Sequence, residues 1–242
     1  MAGAPWSERR PGALTAALAG AAVGVLAVLY PFALERVLAA VGVRALSLLL
    51  LGLLAGSLSL RGSLRGERGA ASAGLAGILV VAATTGDAHM LRLVPAWVYL
   101  GLAALFAASL RSQGSIIEAA ARWLVPEAPP FIRDYCRLVT ALWAIFFVAS
   151  AAIISWLAIA ASHESWMLYT SRTVWLAMAG LSMVEFFVRK TWFRYYFRGG
   201  PFERVWAKLF PAERTARGRR SMSYIEEYRE RLARNAAASH SD

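Results

Sequence analysis

Residues 111–147 read RSQGSIIEAAARWLVPEAPPFIRDYCRLVTALWAIFF. The stretch opens polar, crosses three prolines and runs into a long apolar segment. Ile116, Ile117, Ala120, Trp123 and Leu124 recur at helical spacing, with Glu118 and Arg122 at i,i+4 on the other face. That pattern predicts a short amphipathic helix lying along a membrane surface. Pro126, Pro129 and Pro130 lack an N–H and restrict their predecessors, which predicts an extended hinge. Arg133, Asp134, Tyr135 and Arg137 then stand at the mouth of the next helix, expected over 138–161. Thr140 and Trp143 follow one and two turns later, facing inward or the interface.

Outward from this stretch the chain is organised as apolar runs. Of its 242 residues 58% are hydrophobic, and the mean hydropathy is +0.50, above the level of ordinary soluble domains. The runs lie at about 12–34, 41–60, 69–85, 93–110, 138–161 and 167–188, each near the ~20 residues that cross a bilayer. The expected fold is therefore all-α: a polytopic transmembrane bundle of six spans over 1–190, followed by a basic tail over 191–242. Arg9 and Arg10 before the first run resemble a signal peptide. No polar cleavage region follows as far as Leu34, so an uncleaved first span is expected. Small residues recur every fourth position at Gly12, Ala16, Gly20 and Gly24, and again at Gly69, Ala73 and Gly77. Such spacing lets helices approach closely, and an alanine-rich sequence also produces it by chance. Trp97 and Tyr99 suit interfacial anchors, and Arg44 can snorkel from its helix end.

The net charge is +11 and the isoelectric point about 10.6. The basic residues lie between and after the apolar runs, so anionic headgroups are the expected counter-charge. With six spans, 22 of the 26 Lys and Arg residues fall on one side, and Arg36, Arg44, Arg92 and Arg172 on the other. The positive-inside rule then places both termini in the cytoplasm.

Catalytic patterns are sparse. His89, His163 and His240 show no metal-ligand spacing, and no glycine-rich phosphate loop, acyltransferase signature or carboxylate pair is evident. No cofactor and no metal are expected. Asp87 with His89, and His163 with Glu164, are adjacent acid–base types that read as solvated loop residues. Cys136 is the only cysteine, so no intramolecular disulfide can form; it reads as a buried, inert thiol. Glu185 is the one acidic residue within an expected span. It can pair with Arg137, pinning two spans together, or with Arg189 one turn on.

In the tail, WFRYYF at 192–197 reads as an aromatic belt. Phe202, Val205, Trp206, Leu209 and Phe210 share one face opposite Arg204 and Lys208, the pattern of an amphipathic helix that a membrane surface or a partner's groove would accept. RTARGRR from Arg214 reads as a solvated, flexible linker rather than a nucleic-acid site. Ser223-x-x-Glu226 reads as a capping box opening a last short helix through about Arg234.

The text IIEAAARW…PEAPPFIRDYCRLVTALWAIFF, followed by ESWMLYTSRTVWLAMAGLSMVEFFVRK, resembles an uncharacterised family of small polytopic bacterial inner-membrane proteins over about residues 100–190. The matching positions are Ile117, Glu118, Pro126, Pro130, Tyr135, Arg137, Val139, Thr140, Trp143, Phe146, Phe147, Trp166, Leu168, Tyr169 and Glu185. Thr170 stands where that family has Asn, and the long tail departs from it. Its members are encoded beside fatty-acid-type synthases making aryl polyene or xanthomonadin-like lipids. The resemblance implies a role in assembling, anchoring or exporting such lipids. The leading expectation is a non-catalytic accessory or scaffold subunit that supports synthesis or assembly of such a lipid, or of another membrane complex, with a membrane-protein partner or a second copy. The faces at 116–124 and 202–210 would serve that role. The other readings are a transporter or flippase using Arg137 and Glu185, and a membrane acyltransferase.

Overall fold

The computed structural model describes residues 30, 33–34, 36–61, 67–112, 114–124, 128–193 and 201–238, and the expected span at 12–34 lies almost entirely outside them. The described residues form helices and turns, with no strand among them. In chain order the helices are α1 (Val43–Arg61), α2 (Glu67–Thr85), α3 (Ala88–Arg92), α4 (Val94–Ser109), α5 (Ile116–Leu124) and α6 (Ile132–Ala160). They continue as α7 (His163–Leu168), a π-helical turn (Tyr169–Thr173), α8 (Val174–Trp192), α9 (Pro201–Leu209), a 3₁₀ turn (Ala212–Arg214) and α10 (Ala216–Ala238).

Among the described residues three stretches are long and apolar enough to cross a membrane: Ala88–Ser109, Ile132–Ala160 and His163–Trp192, of 22, 29 and 30 residues. At 1.5 Å per residue they run about 33 to 45 Å, against a hydrocarbon core of about 30 Å. The runs expected at 41–60 and 69–85 are helical, over Val43–Arg61 and Glu67–Thr85.

Two boundaries differ from the sequence reading. α6 begins at Ile132, not Leu138, because Pro129 and Pro130 do not hold the chain extended. Their carbonyls accept from the Ile132 and Arg133 amides at 3.1 and 3.3 Å, making the turn that starts the helix. Proline suits this place, where its missing N–H has no helical partner to lose. The last apolar run is continuous from His163, through the π-turn, to Trp192.

Local chemistry sets the other ends. Asp87, Ser115, Ser162 and Thr215 each accept a backbone amide from the first turn of the helix that follows. Gly42 and Gly86 end helical runs at φ of 82° and 73°, where a side chain would be strained. Of the small residues expected at helix contacts, Gly77 faces open space and Ala73 is exposed. The close approach is at Gly74, where a Cβ would overlap the Trp97 ring.

The chain divides into two compact units. The first comprises residues 1–101 and 148–176, the second 102–147 and 177–242. The first unit is tied by side chains that satisfy backbone carbonyls. Pro95 cannot donate to the Leu91 carbonyl four residues back; the Tyr30 hydroxyl donates to it instead, at 2.9 Å. The Arg92 carbonyl accepts from the indole N–H of Trp166, a fully buried side chain, at 3.2 Å. The π-turn is handled alike. The Thr170 and Ser171 hydroxyls donate to the carbonyls of Trp166 and Met167 at 2.8 and 2.6 Å, and the Trp175 indole donates to Thr170 at 3.2 Å.

Trp166→Phe keeps most of the buried ring and removes only the donor. It should cost about 1–3 kcal/mol by stranding the Arg92 carbonyl, read as a lower unfolding midpoint in mixed micelles. A change within error would show that this carbonyl has another partner.

Candidate functional site

The residues singled out in the sequence converge in the second unit. Its core is Ala121, Ala128, Ile132, Tyr135, Cys136, Val139 and Phe193. Ile117, Phe131, Trp143, Val188, Trp192 and Ile225 pack against it half-buried. Tyr135, three residues into α6, lies between the Trp192 and Phe193 rings at centroid distances of 5.9 and 5.1 Å, and its hydroxyl donates to the Glu185 carbonyl at 3.2 Å. Thr140 is fully buried and donates to the Cys136 carbonyl at 2.7 Å, inside its own helix. Trp143 packs on Phe146 and Phe147 at 5.7 and 5.5 Å. Cys136 is buried, matching the inert thiol expected.

α5 forms where the amphipathic helix was expected, but it is turned. Glu118 was placed on the open face and is buried at 7% exposure, whereas Trp123 is 63% exposed. The rotation follows from where the guanidinium groups lie. Arg122 donates to the Glu118 carboxylate at 3.0 Å and to the Ala128 carbonyl at 3.3 Å, while Arg133 stands 3.9 Å from the second carboxylate oxygen. A carboxylate flanked by two cations can be buried, and alanine at positions 119, 120 and 121 lets the helix sit either way round.

Arg137 and Glu185 do not pair. The Arg137 guanidinium donates to the Leu110 carbonyl at 2.7 Å, at the end of α4. Glu185 faces Arg189 one turn along α8 at 3.2 Å, without the alignment of a hydrogen bond. The geometric reason is reach: Leu110 offers an acceptor next to Arg137, and an i,i+4 partner is always within range on a helix.

The tail is where sequence and structure part most. RTARGRR is not a flexible linker; it supplies the cap and first turns of α10. Arg217 lies over the Trp192 ring at 4.1 Å and Arg220 over Phe131 at 4.6 Å, while Tyr224 meets Phe131 edge-on at 6.2 Å. Gly218 is buried where a Cβ would overlap the Ala212 carbonyl. Ser223 caps nothing. It lies within α10 and donates back to the Arg220 carbonyl at 3.1 Å. Farther along, Arg231 donates to Glu227 at 2.6 Å, which raises its guanidinium pKa still higher. In α9, Trp206 stacks on Phe187 at 5.2 Å, while Val205, Leu209 and Phe210 are exposed; Phe202's side chain lies outside the described residues.

The acid–base types stay apart as chemistry. The Asp87 carboxylate accepts from the His89 backbone amide at 2.8 Å, and the His89 ring lies 3.3 Å from the Ala158 carbonyl. His163 stacks on Trp166 at 5.7 Å. Arg217, Arg220 and Tyr224 were missed because a run dense in arginine reads as solvated. The signal available was their helical spacing, with Ser221, Ile225 and Tyr228 on the same side.

No protein-family model, curated protein or solved structure matches the chain. What the fold defines is an all-helical protein with, among the described residues, three helices long and apolar enough to cross a membrane.

Double-mutant cycles separate the two pairings. Arg137→Gln with Glu185→Gln should be additive within about 0.5 kcal/mol, whereas Glu185→Gln with Arg189→Gln should show a larger coupling. Unfolding free energies in one detergent are the readout. A coupling above that level for the first pair would put Arg137 and Glu185 in contact.

Proposed function

We propose that this chain is a non-catalytic accessory subunit of a membrane assembly, anchored by six spans with both termini on the cytoplasmic side of a bacterial inner membrane. The observation that carries this reading is the way α10 is held. Its first turns are clamped to the second unit by Arg217 on Trp192 and Arg220 on Phe131. One stripe of it runs from buried Ser221 through half-buried Ile225 and Tyr228 to Leu232, which is 51% exposed. A clamped helix whose apolar stripe continues past its own core presents a rigid recognition face to a partner. Trp123, exposed on α5, is a second apolar contact in the same unit. The resemblance to membrane proteins encoded beside aryl polyene or xanthomonadin-type synthesis suggests enzymes of a lipid-like polyene pathway as partners.

The alternative is a transporter or flippase for such a product, favoured by one feature: a carboxylate, Glu185, within an apolar helix. Its pairing with Arg189 inside the same helix weighs toward a structural role.

Purification in mild detergent at native expression, followed by native mass spectrometry, distinguishes them. The accessory reading predicts a stoichiometric protein partner that is lost on Leu232→Glu while the variant still inserts and folds. A protein that comes away alone, carrying a defined lipid released by Glu185→Gln, would replace that reading with the transporter.

A further inference from the structure

α9 is held at a defined depth relative to the last apolar helix. The Trp206 ring lies nearly parallel to Phe187, at an interplanar angle of 18° and a centroid distance of 5.2 Å. Phe187 belongs to the final two turns of the apolar stretch His163–Trp192. Trp192, which closes that stretch, carries the Arg217 guanidinium at 4.1 Å. Both tail helices are thus fixed by ring contacts to the end of one candidate span, where hydrocarbon gives way to headgroups.

At that depth α9 presents a two-part face. Val205 and Leu209 are 58% and 64% exposed, and Phe210, just past the helix, is 45% exposed. Lys208, at i+3 from Val205, flanks the edge of that face and is exposed. Arg214, in the following 3₁₀ turn, and Arg219, in the first turn of α10, are exposed as well. The Arg219 guanidinium donates to the Glu213 carbonyl at 2.7 Å, which fixes the group while leaving further N–H donors for an anion. The tail's basic residues are therefore divided by role. Arg217 and Arg220 are engaged with rings, whereas Lys208 on α9, Arg214 in the 3₁₀ turn and Arg219 on α10 are exposed. The first turn of α10 holds no acidic residue, and the 3₁₀ turn holds one, Glu213, so the cations are in excess.

We propose that α9, the 3₁₀ turn and the first turn of α10 form a platform for the anionic lipids of the leaflet in which α8 ends. Val205, Leu209 and Phe210 enter the acyl boundary, and Lys208, Arg214 and Arg219 hold lipid phosphates. Two arguments select lipid over a protein groove. The stack on Phe187 sets this face level with the end of a span, where lipid is the adjoining medium. Exposed apolar side chains together with long cationic ones match a leaflet, whose acyl region lies beneath its phosphates. Trp206, the largest apolar residue of the pattern, is the anchor to α8 rather than the membrane contact.

The test uses the full chain with Cys136→Ser, reconstituted in nanodiscs of phosphatidylcholine with or without phosphatidylglycerol. A spin label is placed at position 209 by Leu209→Cys, or at position 183 by Met183→Cys, where α8 is exposed and apolar. With phosphatidylglycerol present, the label at 209 should be relaxed by oxygen and shielded from a water-soluble nickel chelate. The combined variant Lys208→Gln, Arg214→Gln, Arg219→Gln should return it to water and lower phosphatidylglycerol binding on the order of tenfold or more. A label at 209 that stays in water while the label at 183 sits in lipid overturns the platform and leaves the spanning helix standing. A label at 209 held by a second copy or another protein, or indifferent to the three neutralisations, overturns it equally. A label at 183 in water overturns the spanning reading of α8, and the platform with it.

Discussion

The packing of arginine on aromatic rings is the interaction on which the second unit depends. Arg217 on Trp192 and Arg220 on Phe131 bring a highly charged helix against an apolar core without burying an unpaired cation in it. A guanidinium is weakly hydrated and flat, so it covers a ring face while its N–H groups stay near water. Each contact is worth about 0.5–2 kcal/mol depending on solvent access. Together they set the register of α10, so that Ile225 packs on the core and Tyr224 meets Phe131. Lysine would serve poorly here, because a compact, strongly hydrated ammonium does not lie flat on a ring.

A second constraint runs through the apolar helices: where the helical ladder is interrupted, the freed backbone groups need other partners. Pro95 interrupts it in the first turn of α4, and the π-turn interrupts it between α7 and α8. In both places side-chain donors complete the bonding: Tyr30 and Trp166 at the first, Thr170, Ser171 and Trp175 at the second. There Trp166 also ties the turn to the Arg92 carbonyl, so one indole serves both places.

The helical character of the chain was legible because runs of apolar residues near 20 long leave few alternatives. So was the short helix at 116–124, whose period is unambiguous. Its facing was not. Periodicity placed Glu118 outward, and only the third dimension reveals that Arg122 and Arg133 flank it. The same limit applies to Arg137, whose acceptor is a backbone carbonyl at Leu110, and every residue has one of those. The start of α6 was misjudged because consecutive prolines both break helices and begin them, and the difference lies in which residues follow. In the tail, composition misled: arginine density signals solvent unless rings wait at the right spacing, and Phe131 and Trp192 are far from it in sequence.

These cases share one consequence for the fold. Thr140 bonds the Cys136 carbonyl, Thr191 the Phe187 carbonyl, and Glu185 faces Arg189, each within its own helix, whereas Tyr135 and Arg137 reach out of theirs to the Glu185 and Leu110 carbonyls. In each case the partner belongs to the protein itself, so these polar groups hold helices in register and satisfy backbone that lipid could not. Among the described residues Trp123, Lys208, Arg214, Arg219 and Leu232 are instead exposed.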